Sequence, residues 1–323
     1  MFQNKIVSNL ISPWFTGERK YYAVIGLVFL QTLNLSLAIL VYRTNIWLKN
    51  FYDILQLKDF HSFIYQLGVF ILIGGTYAVI TTFHTYCLNM YSLEWRQHLN
   101  SSLIYRYHVS RHETHIENPD QRIQEDIRDY TRQLVTLGDG LMYCVMVLIL
   151  FIPLLIDYSK YIYFGSLHLP YILLILCLGL AFCATYVSVK LGKSISLVSY
   201  GNQRAEATYR QHLLIYKLNK FACYTSLFRP FKRVLLNSKQ LYKVTQRYGF
   251  WANGYDQFTI ILPFLVCGYS YFAGLLTLGI MMQLADAFSQ TVNSVSYVIN
   301  QYPQFAALAA NTWRLEEFID KLD

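Results

Sequence analysis

The stretch DFHSFIYQLGVFILIGGTYAVITTFHTYCLNMYSLE, Asp59 to Glu94, decides the fold: between its two terminal acids it contains no Asp, Glu, Lys or Arg. A helix that crosses the hydrocarbon layer needs about 20 mostly apolar residues. As a helix this run is roughly 50 Å long at 1.5 Å per residue, so it crosses a bilayer and projects into water. Outward from it, charge-free runs lie between Lys20 and Arg43, between Asp139 and Asp157, between Lys160 and Lys190, and between Asp256 and Asp286. A last run, Asp286 to Arg314, is studded with Gln, Asn, Ser and Thr. Together they predict six spans, at about 20–44, 62–92, 133–156, 161–189, 256–274 and 278–303.

The composition agrees. Of the 323 residues 54% are apolar, 17% aromatic and only 14% charged, and the mean hydropathy is +0.29, whereas about a quarter of a soluble domain is charged. A soluble enzyme is excluded. With 7 Pro and 16 Gly the chain has no collagen-like, mucin-like or disordered tract. The Cys at 87, 144, 177, 183, 223 and 267 show no CxxC or CxxH spacing, which points to core residues rather than disulfides or zinc ligands. His108, His112 and His115 share a helical spacing near Glu113 and Glu117, yet a His-rich helix face is more often unmetallated, so no metal site and no cofactor are expected.

Lys and Arg avoid translocation and so set the orientation. With the N-terminus inside, only Arg43, Lys49, Lys58 and Lys160 of the 27 Lys and Arg fall outside. Both termini are therefore predicted to be cytosolic, with residues 1–19 a cytosolic segment that lacks a signal-peptide core. The net charge of +8 then follows from topology and attraction to anionic inner-leaflet lipid, without nucleic acid. The cytosolic segments, about 93–132 and 190–255, are poor in turn residues and read as helical hairpins broken near Pro119 and Pro230.

Polar residues in the last run are ordered. Gln283, Asp286, Gln290, Asn293, Tyr297, Asn300 and Gln304 recur every three or four positions, one stripe along a helix. Facing lipid they would be costly, so they face a water-filled passage that can hold a peptide backbone, or serve as hydrogen-bond glue between helices. Asp286 is a candidate proton site within an apolar span, or a solvated carboxylate near the outer mouth. Asp139, at the start of the third span, is either an interior proton site or an interfacial carboxylate.

The strings FYDILQ (51–56), NPDQRIQEDI (118–127), GNQRAEATYR (201–210), YFAGLLTLGIMMQ (271–283) and SYVINQY (296–302) resemble signatures of the SbmA/BacA-like peptide transporters and of their bacterial permease-ATPase relatives. The resemblance covers about residues 13 to 320 and implies an all-α membrane protein with six transmembrane helices and a type IV ABC exporter-like transmembrane domain, 20–323. It implies a homodimer in the bacterial inner membrane that imports peptides or peptide-like antibiotics using protons, and no enzyme. No GxxxxGK[ST] string occurs, so no phosphate cradle and no nucleotide-binding domain are expected. The alternative is the permease half of an ABC transporter served by a separate ATPase. By resemblance Glu206 occupies a proton-coupling position, while the second acid of that pattern is replaced by His212, itself protonatable near neutral pH or simply exposed. Also by resemblance, Arg122, Glu125, Asp126 and Arg128 lie near an inner gate, where ion pairs would hold the halves shut; a solvated, charge-rich helix face is the plainer reading.

Overall fold

The computed structural model describes residues 10–17, 19–110, 119–164, 167–168, 171–218 and 224–322. The chain is nearly all helical: α1 (Ser12–Thr16), α2 (Lys20–Leu57), α3 (Phe60–Ser110), α4 (Ile127–Ser159), α5 (Ile172–Leu218), α6 (Phe228–Phe272), α7 (Leu278–Val295), α8 (Tyr297–Asn300) and α9 (Tyr302–Asp320). One α-turn, Pro119–Gln121, and a π-helical turn, Arg122–Asp126, lead into α4. A small antiparallel ladder pairs Tyr163 with His168 and Phe164 with Leu167.

Among the described residues four segments are long and apolar enough to cross a membrane: Lys20–Leu57, Phe60–Val109, Arg122–Ser159 and Ile172–Leu191. They carry rows of exposed apolar side chains, such as Ile25, Val28, Ile71, Leu72 and Val79. Such a surface is stable in acyl chains and not in water. This is a membrane protein.

Helix α2 runs on past the first predicted span, about 20–44, as far as Leu57. The reversal into α3 takes only Lys58 and Asp59. Lys58 adopts a left-handed φ of 58°, closing α2 through N–H bonds to the carbonyls of Ile54 and Leu55. The Asp59 carboxylate then accepts the backbone N–H groups of His61 at 3.1 Å and Ser62 at 3.2 Å, capping α3.

By contact the chain divides into two units, residues 1–175 with 266–323, and residues 176–265. In the first unit α2, α3, α4 and α7 pack together, and α9 lies along the start of α4. Its core holds Trp14, Tyr91, Trp95, Ile127, Tyr130 and Phe318. Residues 12–16 are therefore not a free tail. Trp14 is fully buried, stacks on Trp95 with ring centroids 5.8 Å apart, and donates to the Tyr91 hydroxyl at 3.1 Å.

The second unit is a hairpin built from α5 and α6. Ser238 donates to the Asn202 side-chain carbonyl at 2.9 Å, and the Tyr209 and Phe231 rings lie 5.4 Å apart. Both Asn202 and Tyr209 come from GNQRAEATYR, so that string supplies part of the packing inside the hairpin. The break expected near Pro230 lies just before it, where a 3-10 turn, Tyr224–Leu227, leads into α6.

Candidate functional site

Polar side chains inside the first unit gather in three places along its helices. The first is around Asp139 on α4, which is buried at 8% exposure. One carboxylate oxygen, Oδ1, accepts from Asn34 at 2.8 Å and from Gln31 at 3.3 Å, both on α2. The other, Oδ2, faces Nε2 of His84 on α3 at 3.3 Å. Three helices thus meet at one carboxyl group. A buried carboxylate is tolerated only when paired and hydrogen-bonded; here the amides of Gln31 and Asn34 supply the hydrogen bonds, and the imidazole of His84 lies beside it. A groove of about 350 Å³, lined by Leu27, Leu30, Gln31, Tyr91, Trp95 and Asp139 among others, reaches this group.

The second cluster lies around Asp286 on α7. Asn45, fully buried on α2, donates to Asp286 Oδ2 at 2.7 Å and to the backbone carbonyl of Gln283 at 2.9 Å. Gln290 donates to Asp286 Oδ1 at 3.3 Å. Above it, α7 begins where FYDILQ caps it: Gln56 accepts the N–H of Leu278 at 3.3 Å, Asp53 that of Gly279 at 2.9 Å, and Thr277 that of Ile280 at 3.2 Å. Three of the four free N–H groups of a helix start are met by side chains, two of them from another helix.

The polar residues of the last run are spread over three successive helical segments. The chain turns at Ser296 and again at Gln301, dividing them among α7, α8 and α9. Gln283 is buried and Asp286 and Gln290 are half-buried against α2; Tyr297 donates to the Leu137 carbonyl of α4 at 3.3 Å. Asn293, Asn300 and Gln304 are exposed. Part of the stripe joins helices and part is open.

The third cluster holds the residues assigned to an inner gate. Asp126 is 3% exposed and accepts from Arg122 at 2.8 Å and from two guanidinium nitrogens of Arg314, on α9, at 2.9 and 3.1 Å. Arg314 also donates to Asn311, whose own amide donates to Gln133 at 3.1 Å. Arg128 pairs instead with Asp129 at 2.8 Å, on an exposed face, and Glu125 is exposed. The four residues thus separate: Arg122 and Asp126 belong to a buried knot, Arg128 and Glu125 to the surface.

In the second unit Glu206 and His212 are both exposed on α5. His108 lies in the last turn of α3, and His112 and His115 lie outside the described residues. Gln31, Asn34, Asn45, His84 and Arg314 were not singled out from the sequence. A signal existed for Gln31, Asn34 and His84: each is a polar side chain within an otherwise apolar run, where facing lipid is costly. What each one meets is not written in the run.

Residues 17–323 match the SbmA/BacA-like family. Among individual proteins, the chain is 26% identical over 97% of its length to "ABC transporter D family member 2, chloroplastic" of Arabidopsis thaliana, covering 45% of that protein. It is 24% identical over 96% of its length to "Inner membrane ABC transporter ATP-binding protein YddA" of Escherichia coli, covering 59% of it. An uncharacterized ABC transporter ATP-binding protein of Haemophilus influenzae is 26% identical over 73% of the chain and is covered to 43%. The chain thus spans about half the length of these curated relatives.

Proposed function

Because the chain belongs to the SbmA/BacA-like family, we propose that this membrane transporter is a proton-driven secondary importer of peptides or peptide-like antibiotics, working as a homodimer in the bacterial inner membrane. In this reading α6 from about residue 256 and the α7–α8 segment supply the fifth and sixth spans of a type IV ABC exporter-like domain, and both termini are cytosolic. Two copies enclose the passage. Gln283, Gln290, Asn293, Tyr297 and Asn300 line it, Arg122, Glu125, Asp126 and Arg128 form the inner gate, and Glu206, His212, Asp286 and Asp139 exchange protons.

One observation carries the reading. Asp139 and Asp286 sit in apolar helical segments, and among the described residues neither has a Lys or Arg partner; neutral carboxamides hold both, with an imidazole beside Asp139. Carboxyl groups inside membrane segments are rare, and in transporters as a class they mark proton relays. Permissive amides and a tyrosine suit a substrate recognised by its backbone.

The test is peptide uptake by the purified chain in lipid vesicles, with a pH gradient and no nucleotide. Uptake that a protonophore abolishes supports the proposal. Glu206→Gln should then lose uptake while the dimer persists, and normal uptake in that variant removes Glu206 from the mechanism. A second reading, the permease part of an ABC transporter energised by an ATPase, is favoured by the names of the relatives, which include ATP-binding proteins. Uptake that requires ATP and a co-purifying ATPase, and ignores the pH gradient, establishes that reading instead.

A further inference from the structure

We propose that His84 and Asp139 form a single proton-binding pair inside the membrane body, and that the occupancy of this pair controls the contact between α2 and α4. The inference deepens the proton-driven reading and rests on it. The imidazole Nε2 and carboxylate Oδ2 are 3.3 Å apart, with side-chain exposures of 10% and 8%. As they stand neither group donates to the other, and one bound proton placed between them would join them. Imidazole is also the side chain whose charge changes between pH 5 and 8.

Among the described residues no Lys or Arg pairs with either group. From α2 only the amides of Gln31 and Asn34 face the carboxylate. From α4 the neighbouring titratable group is Cys144, from α8 it is Tyr297, and from α3, across the groove, Tyr91. With the proton bound, the pair is neutral overall. Without it, one negative charge remains on Asp139, held by the two amides. The proton passes to or from water at the groove that reaches Asp139.

The amides explain how release is felt elsewhere. Asn34 also donates to the backbone carbonyl of Asp139 at 3.3 Å, so it ties α2 to α4 through both ends of that residue. Gln31 Oε1 and His84 Nε2 are buried with no hydrogen-bond partner. A carboxamide can turn from donor to acceptor. Gln31 can therefore donate to an ionised Asp139 and accept from a protonated one. The α2–α4 contact changes its hydrogen bonds with the proton, while apolar packing stays in place.

The experiment uses the full chain in lipid vesicles with ring-labelled histidine, the His84 resonance being assigned by its loss in His84→Gln. The expected result is a His84 signal that moves between pH 5 and 8 in the unaltered protein and stays fixed as the neutral ring in Asp139→Asn. A His84 signal that is pH-independent in the unaltered protein, or whose titration is the same in Asp139→Asn, overturns the pair. Because this readout needs no transport, it remains decisive if gradient-driven uptake fails. Conversely, gradient-driven uptake with a silent His84 sinks the pair and spares the proton-driven reading.

Discussion

Arg314 holds Asp126 through two nitrogens, at 2.9 and 3.1 Å, although 188 positions separate them. The fork geometry matches a carboxylate in a way a lysine cannot, and it fastens α9 to the start of α4. Arg122 adds a third contact from one turn away.

Removing one partner of this knot strands a buried carboxylate. Arg314 is itself 43% exposed, so the loss on Arg314→Ala is set at about 2 kcal/mol, below the range for a fully buried pair. Thermal unfolding of the purified protein measures it. A double-mutant cycle with Asp126→Asn should show coupling of about 1 kcal/mol or more, and additive losses would mean that the contact is incidental.

A second outcome concerns the crossing of α2 and α7. A methyl group on Gly279 would collide with the backbone carbonyl of Lys49 and with the Asp53 carboxylate. Neither can withdraw without unwinding α2 or giving up the cap on α7. Gly279→Ala should therefore destabilise by about 1–3 kcal/mol, read as a lower unfolding temperature, whereas the same change at Gly68, with nothing within 4 Å, should not.

Asn45 bridges two acceptors of α7 with one amide. Asn45→Ala leaves the Asp286 carboxylate with Gln290 and is expected to cost about 1–3 kcal/mol. Asn45→Asp, which sets a second carboxylate against Asp286, should be worse near neutral pH and recover as the pH is lowered. Unfolding midpoints at two pH values decide it.

The cap of α3 gives a pH dependence with a definite sign. Hydrogen bonds from the Ser62 hydroxyl and backbone, with a smaller contribution from the backbone of His61, hold the Asp59 carboxyl below the ordinary aspartate value. A group depressed on folding stabilises the fold above its unfolded value, and that contribution is lost as pH falls through the folded one. Amide exchange at the first turn of α3 should accelerate as pH drops through the acidic range, after correction for intrinsic rates. Asp59→Ala should show the fast exchange at all pH values.

How far these features could be read in advance depends on their range. Apolar runs are local, and lipid leaves a helix few alternatives because every backbone polar group must bond within its own segment. The run from Asp59 to Glu94 therefore declared its helix, and Asp139 could be marked as a carboxyl group within or beside a span. Nothing local marked residues 43–57 as more helix, since Arg43, Lys49 and Asp53 look like a polar link; Asp53 is in fact used on the start of α7. The stripe from Gln283 to Gln304 has helical spacing, but which of its members meet a neighbouring helix, as Asp286 meets Asn45 and Tyr297 the Leu137 carbonyl, is decided by packing.

Hydropathy and charge along the chain were enough to establish a helical membrane protein, because transfer of each segment between water and lipid is nearly a sum over its own residues. Partnership is of another kind. That His84 and Asn34 meet Asp139, that Asn45 meets Asp286 and that Arg314 meets Asp126 depend on which helices touch and at what height. Those contacts are set by packing among residues far apart in the chain, where a single buried carboxylate must find its donors wherever the neighbouring helices bring them.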